Sequence, residues 1–350
     1  MGGAVIDVES KDLVLVTGGT GYVAGWMIAG LLRNGYRVRT TLRDPGKQGA
    51  VKKAVEGAVG DTGNRLTFAT ADLLRDDGWT GAADGCRYVV HVASPMGQGA
   101  SRGTDLVGPA RDGTLRVLRA AAAAGVERVV CTSSGLAART PTVPGERQPL
   151  ADENTWTDPA EPGLDEYARS KVLAERAAWD FIRGDKSGMT LTTVLPGLIV
   201  GAAMTRHVSP SLELVARFIT GKVPAIPHVG FSITDVHDLV DLHIRAMSHP
   251  AAANQRLIAA GDFLWFADIA QALREAFPDR AHAIPKRRLP DWIMRASALF
   301  SAEARFMVPL LGKRREFDTG RTAQLLQWRP APSRDAVIRC ARSLVENGIV

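Results

Sequence analysis

Between residues 13 and 195 short β-branched runs alternate with longer amphipathic stretches, and this alternation limits the chain to very few architectures. Strands are expected at residues 13–17, 37–42, 65–69, 88–93, 126–132 and 191–195. Helical spacing of apolar residues separates them, as in 23–34, which Gly35 stops, and the alanine-rich 113–124, which Gly125 stops. Parallel strands need such crossovers, and helices then cover both faces of the sheet. The expected fold is α/β, a Rossmann-type doubly wound parallel sheet. After Pro196 the alternation decays and the readable segments are helical, at 266–277 and 335–347. They suggest a smaller, mainly helical C-terminal substrate lobe. The stretch 233–247 reads as a helix returning to the first domain. The division expected is a nucleotide-binding domain at 11–195 with 232–258 returning to it, and a lobe of 196–231 and 259–350. A length of 350 residues, at roughly 150 per domain, agrees with two such parts.

Composition narrows the function. With 45% hydrophobic and 23% charged residues the chain is neither disordered nor fibrous. It has no run near the roughly 18 apolar residues of a membrane helix and no basic, apolar leader at its start. A cytoplasmic protein with no membrane partner is expected. Lys and Arg number 43 against 37 Asp and Glu, a net charge of +6, but the two signs are interspersed. The short runs Lys286-Arg287-Arg288 and Lys313-Arg314-Arg315 read as solvated surface, so no nucleic-acid partner is expected. Cys86, Cys131 and Cys340 are an odd set without CxxC spacing, and no His, Asp and Glu set has metal-ligand spacing. Neither a disulfide framework nor a metal is expected.

The segment VTGGTGYVAG, residues 16–25, follows the first strand and opens a helix, as a dinucleotide loop must. Gly18 makes the tight turn, Gly21 lets backbone approach a pyrophosphate, and Ala24 permits close helix-sheet packing. The helix start, with its unpaired N–H groups, then faces the phosphates. An acidic residue about 20 positions on favours NAD, whereas a 2′-phosphate needs cations. Here the second strand ends at Arg43, with Lys47 beyond it. A guanidinium forks onto phosphate, so NADP(H) is the expected cofactor. Asp44, next in sequence, keeps NAD(H) open. Asp72-Leu73 after the third strand is placed to meet adenine, although an aspartate there also caps helices.

Tyr167 and Lys171 stand four apart at the start of an apolar-periodic helix, hence on one face. Thr132-Ser133-Ser134 ends the fifth strand, at the sheet edge where doubly wound folds build their sites. A tyrosine with an ordinary pKa near 10 is a poor acid-base group at neutrality, and a neighbouring ammonium favours its phenolate. Lys171 supplies that ammonium and binds the nicotinamide ribose. Ser134 hydrogen-bonds the substrate carbonyl and Tyr167 supplies the proton.

These residues resemble the extended short-chain dehydrogenase/reductase superfamily, most of all its dihydroflavonol reductase, cinnamoyl-CoA reductase and microbial aldehyde/ketone reductase branch. The resemblance runs through VTGGTGYVAG, TLRDPGK, ADL, HVASPM, TSSG, YARSK, AERAAW and LPGLIVG, nearly the whole chain. It implies a catalytic triad of Ser134, Tyr167 and Lys171, with Ser134 favoured over Ser133, and Arg43 and Lys47 on the 2′-phosphate. It further implies that Val92, Ala93 and Ser94 run under the cofactor and that Pro196 and Leu198 flank the nicotinamide. The expected cofactor set is completed by Thr20, Tyr22, Val23, Thr132, Gly197 and Ser209. Expected substrate contacts are Ser94, Met96, Ser134, Arg139 and Tyr167. Plant flavonoid reductases often carry Asn five residues after the catalytic serine, where this chain has Arg139.

The lobe from about Met204 to Phe218, with Phe231, offers an apolar lining suited to an aromatic or aliphatic carbonyl compound. His207 and His228 read as solvated. The expected activity is NADPH-dependent reduction of a small-molecule ketone or aldehyde, by a monomer or homodimer. Three other readings compete: a nucleotide-sugar epimerase or dehydratase holding NAD, a hydroxysteroid-type dehydrogenase, and a non-catalytic NADP-sensing regulator. Dehydratases of that kind resemble one another in an Asp-Glu pair where this chain has Ser133-Ser134. Sensors of this fold lack the tyrosine-lysine pair.

Overall fold

The computed structural model of the chain describes residues 12–95, 105–140, 149–161 and 164–350. Its strands are β1 (Leu13–Val16), β2 (Arg37–Leu42), β3 (Leu66–Thr70), β4 (Tyr88–His91), β5 (Arg128–Thr132), β6 (Thr190–Pro196), β7 (Leu198–Val200), β8 (Gly230–Asp235), β9 (Arg256–Ala259) and β10 (Phe263–Trp265). The helices are α1 (Tyr22–Arg33), α2 (Gln48–Val59), α3 (Trp79–Ala83), α4 (Val107–Ala123), α5 (Glu166–Gly184), α6 (Pro210–Ile219), α7 (Val236–Ser248), α8 (Phe266–Ala276), α9 (Asp291–Ser297), α10 (Ala302–Met307), α11 (Gly320–Leu326) and α12 (Ser333–Glu346).

Seven strands form one sheet in the order β3-β2-β1-β4-β5-β6-β9, parallel at every pairing from β3 to β5. Chain direction across the sheet reverses between β1 and β4, the switch point of a doubly wound fold. Both of these central strands, LVLV and YVVH, are buried throughout, as strands covered on two faces must be. A second sheet of three strands runs β10-β8-β7, antiparallel at β10 and parallel at β7. Among the described residues no helix is long and apolar enough to cross a membrane.

The chain divides into two compact units. One comprises the described residues up to Thr132, with Leu173–Thr193 and Val240–Gln255. Its core gathers Leu15, Val89, Leu118, Val129 and Leu191. Helix α1 packs on α2, and α3 on α4. A Cβ at Gly30 would lie 2.4 Å from Val240 Cγ1, so this glycine lets α1 approach α7 at backbone distance. The other unit comprises the described residues of Ser133–Val172, Val194–Leu239 and Arg256–Val350. There α12 packs against α8 and α6, and Phe218 meets Phe266 edge-on at 5.4 Å. Residues 133–172 thus fall in the second unit, whereas the sequence division assigns them to the nucleotide domain.

Three sequence expectations differ from the structure. Strands β7 to β10 lie in the region that reads as mainly helical. The segment expected as one helix at 233–247 splits, because Ile233–Asp235 pair with Leu198–Val200 and α7 begins at Val236. The Asp235 carboxylate accepts the His237 amide at 2.6 Å and so caps the helix that follows. Phe218 and Leu212, expected to line an open pocket, are fully buried core instead.

Candidate active site

The glycine-rich loop is built by backbone. Gly18 sits at φ +74°, a conformation that favours glycine, and a Cβ there would stand 2.9 Å from Ala93 Cβ. Its amide donates to Thr41 Oγ1 and that of Gly19 to the Thr41 carbonyl, both at 2.9 Å. The Gly21 amide closes the turn on the Gly18 carbonyl, and α1 starts immediately after. Thr20 and Gly21 are exposed, Tyr22 and Val23 half-buried, and Ala24 buried. Thr17 Oγ1 accepts the Ala93 amide at 3.0 Å and lies 2.9 Å from His91 Nδ1. The loop and the half-buried segment Val92, Ala93 and Ser94 are therefore fixed by one threonine.

At the end of β2, Arg43 and Lys47 are both exposed, and neither has an acidic partner among the described residues. Asp44 is engaged: its Oδ1 accepts the Gly46 amide at 2.9 Å, capping the short turn Pro45–Lys47. One of its two carboxylate oxygens is thus held by its own turn. Asp72 likewise accepts the Leu74 amide at 3.0 Å, and Leu73 packs where Gly113 leaves room.

The Ser-Tyr-Lys group belongs to the second unit. Ser134 caps the turn Gly135–Ala137, its Oγ accepting the Leu136 amide at 3.2 Å. A Cβ at Gly135 would lie 2.7 Å from the Phe317 ring and 3.2 Å from the Pro196 carbonyl oxygen, so a side chain there would push the ring aside. Tyr167 and Lys171 share a face of α5, with Lys171 Nζ 5.8 Å from the Tyr167 ring centre. Asp165 starts this helix by accepting the Ala168 amide at 2.8 Å. A Cβ at Gly197 would stand 2.2 Å from the Ser232 carbonyl oxygen, so Pro196-Gly197-Leu198 runs against β8, and the Gly197 amide donates to Thr234 Oγ1 at 2.9 Å. Ser209 stands at the N-cap position of α6 without a side-chain capping bond, its hydroxyl 3.1 Å from that of Ser211. In the first unit Thr132 Oγ1 is 2.7 Å from His243 Nε2. Met96 lies outside the described residues. His207 and His228 are exposed.

The arginine runs are corrected in part. Arg314 is exposed and bridges Glu316, but Arg315 beside it turns inward, as does Arg139. The Arg139 side chain is only 10% exposed, with Nη2 3.6 Å from Glu161 Oε1. Burial, and next the Arg139 cation, hold the Arg315 guanidinium below the ordinary arginine range.

The chain matches the model of the NAD dependent epimerase/dehydratase family over residues 14–261. It is 35% identical to cinnamoyl-CoA reductase 1 of Oryza sativa subsp. japonica over 77% of each chain. It is 32% identical to dihydroflavonol 4-reductase of Zea mays, over 80% of this chain and 78% of that one. The chain belongs to the extended short-chain dehydrogenase/reductase superfamily, in its dihydroflavonol and cinnamoyl-CoA reductase branch. The fold of this superfamily member agrees with yeast methylglyoxal/isovaleraldehyde reductase Gre2, solved with NADPH, at a TM-score of 0.78 and 24% identity over 97% of this chain and all of that one. In this branch member sequence reasoning missed Arg256. This buried arginine donates to the carbonyls of Glu153, Thr155 and Ala137 and stacks on Trp156 at 3.7 Å, bracing the turn that carries Ser134. A lone arginine opening a short strand carries no signal of that role. It also missed Arg315, hidden in a run that reads as solvated.

Proposed function

We propose that this chain is an NADPH-dependent carbonyl reductase that converts a small-molecule ketone or aldehyde to an alcohol. The observation that carries the reading is the Tyr167 and Lys171 pair on one face of α5, in the same unit as the Ser134 turn. The residues present fit a dinucleotide. At Gly18 a side chain would fill the space under the loop, and Arg43 and Lys47 are cations without acidic partners beside an aspartate already engaged.

Gly18, Thr20, Gly21, Tyr22 and Val23 hold the pyrophosphate, and Arg43 and Lys47 the 2′-phosphate. Asp72 and Leu73 meet adenine, while Val92, Ala93, Ser94, Thr132, Pro196, Gly197, Leu198 and Ser209 line the remainder. When bound, the nicotinamide supplies hydride to the carbonyl carbon. Ser134 donates a hydrogen bond to the carbonyl oxygen and stabilises the charge that grows there. As the carbonyl π pair moves onto oxygen, Tyr167 gives that oxygen its hydroxyl proton. Lys171 stabilises the phenolate left behind and anchors the ribose.

Arg43→Ala tests the cofactor half of this reading. The expected result is a KM for NADPH raised by about 10- to 100-fold, the loss of a charge-assisted hydrogen bond, with the KM for NADH nearly unchanged. Equal losses with both cofactors would remove Arg43 from the 2′-phosphate.

A further inference from the structure

Arg139 and Arg315 face a cleft shared with Thr140, Ala151, Phe317 and Glu316, whose carboxylate is bridged by Arg314. The Nε of each guanidinium is buried and has no hydrogen-bond partner among the described residues. The Arg139 side chain is nine-tenths buried, and Glu161 stands 3.6 Å from it, an ion pair longer than a good hydrogen bond. Buried donors of this kind are rare unless something else satisfies them. Lys313 is half-buried in the same field, pushed below the ordinary lysine range by burial and then by Arg315 and Arg139. Glu161 and Asp165 act on Arg315 from the acidic side, and Asp165 already caps α5.

The cleft is tied to the candidate chemistry. Phe317, on its wall, is the ring that Gly135 beside Ser134 makes room for. The Arg315 carbonyl accepts the hydroxyl of Ser232, whose own carbonyl lies against Gly197. Asp165, which acts on Arg315, stands two residues before Tyr167. Backbone bonds from Ala151 to Glu316 and from Asp318 to Ala151 hold this wall in place. The cleft has room for about one water-sized group, which suits the tip of a carboxylate.

We infer that Arg139 and Arg315 form an anion-binding subsite and that the substrate is a carbonyl compound bearing a carboxylate. The inference rests on the reductase reading above. It is tested with NADPH and a matched pair of aldehydes, para-formylbenzoate and its methyl ester. Wild-type kcat/KM should favour the acid by about 10- to 100-fold, the range of one or two charge-assisted hydrogen bonds, and Arg315→Met should abolish that preference while Arg315→Lys restores part of it. An ester reduced as well as the acid by the wild type overturns the subsite and leaves the reductase intact. If Arg315→Met does not fold, the wild-type ratio decides alone. If neither aldehyde turns over, benzoate binding by calorimetry decides the subsite. A wild-type Kd at least about tenfold tighter than that of Arg315→Met supports it, and equal values overturn it.

Discussion

Two arginine environments in the second unit make opposite use of the same side chain. Arg256 spends its donors on three backbone carbonyls and lays its plane on Trp156, so nothing about it awaits a ligand. Among the described residues Arg139 and Arg315 have an unpartnered, buried Nε each and one loose ion pair, to Glu161. The first environment stabilises the fold. The second holds like charges together at a cost in desolvation, which a fold retains where binding repays it. Buried cations are thus sorted by whether their donors are satisfied, and burial by itself decides nothing.

Substitutions can break or sharpen this contrast. Arg256→Met should cost the most, about 3 kcal/mol or more, because the Glu153 and Thr155 carbonyls lose the arginine as donor, the Ala137 carbonyl keeps only the Thr157 amide, and the stack on Trp156 is lost. Urea titration measures it, and a loss below about 1 kcal/mol would mean that the carbonyls find other partners. Arg139→Met should cost about 1 kcal/mol, since it breaks a long ion pair to Glu161 but relieves repulsion on Arg315. Arg315→Met should change stability by less than that or raise it, the usual result of replacing a poorly paired buried charge by an apolar side chain. A large destabilisation by Arg315→Met would move Arg315 into the class of Arg256. Arg43→Ala, at an exposed site, should leave stability within about 0.5 kcal/mol and act on cofactor affinity alone.

The same contrast explains what was legible in the sequence. Strands β1 and β4 are continuous apolar runs, and Gly18, with its positive φ, has a fixed place after the first of them. Local chemistry dictates such features, so periodicity and glycine spacing disclose them. Tyr167 and Lys171 were equally visible, because helical spacing alone puts them on one face. Strands β7 and β10 have three residues each and exist through pairing with β8, which no local pattern announces. Ile233–Asp235 carry helix-like spacing into α7, and tertiary pairing overrides it. Arg315 stands between the exposed Arg314 and the half-buried Glu316, and the bonds of its segment to Ala151 and Ser232, distant in sequence, hold it in place.

Carbonyl reduction through Tyr167 is the central claim, and steady-state turnover tests it most directly. Consumption of NADPH is followed with wild type and Tyr167→Phe over a panel of aryl ketones, aliphatic aldehydes and carboxylate-bearing aldehydes. The account predicts NADPH-dependent turnover by the wild type and a kcat lowered by about a hundred- to ten-thousand-fold in the variant, with NADPH affinity nearly kept. Turnover by Tyr167→Phe at the wild-type rate would contradict it.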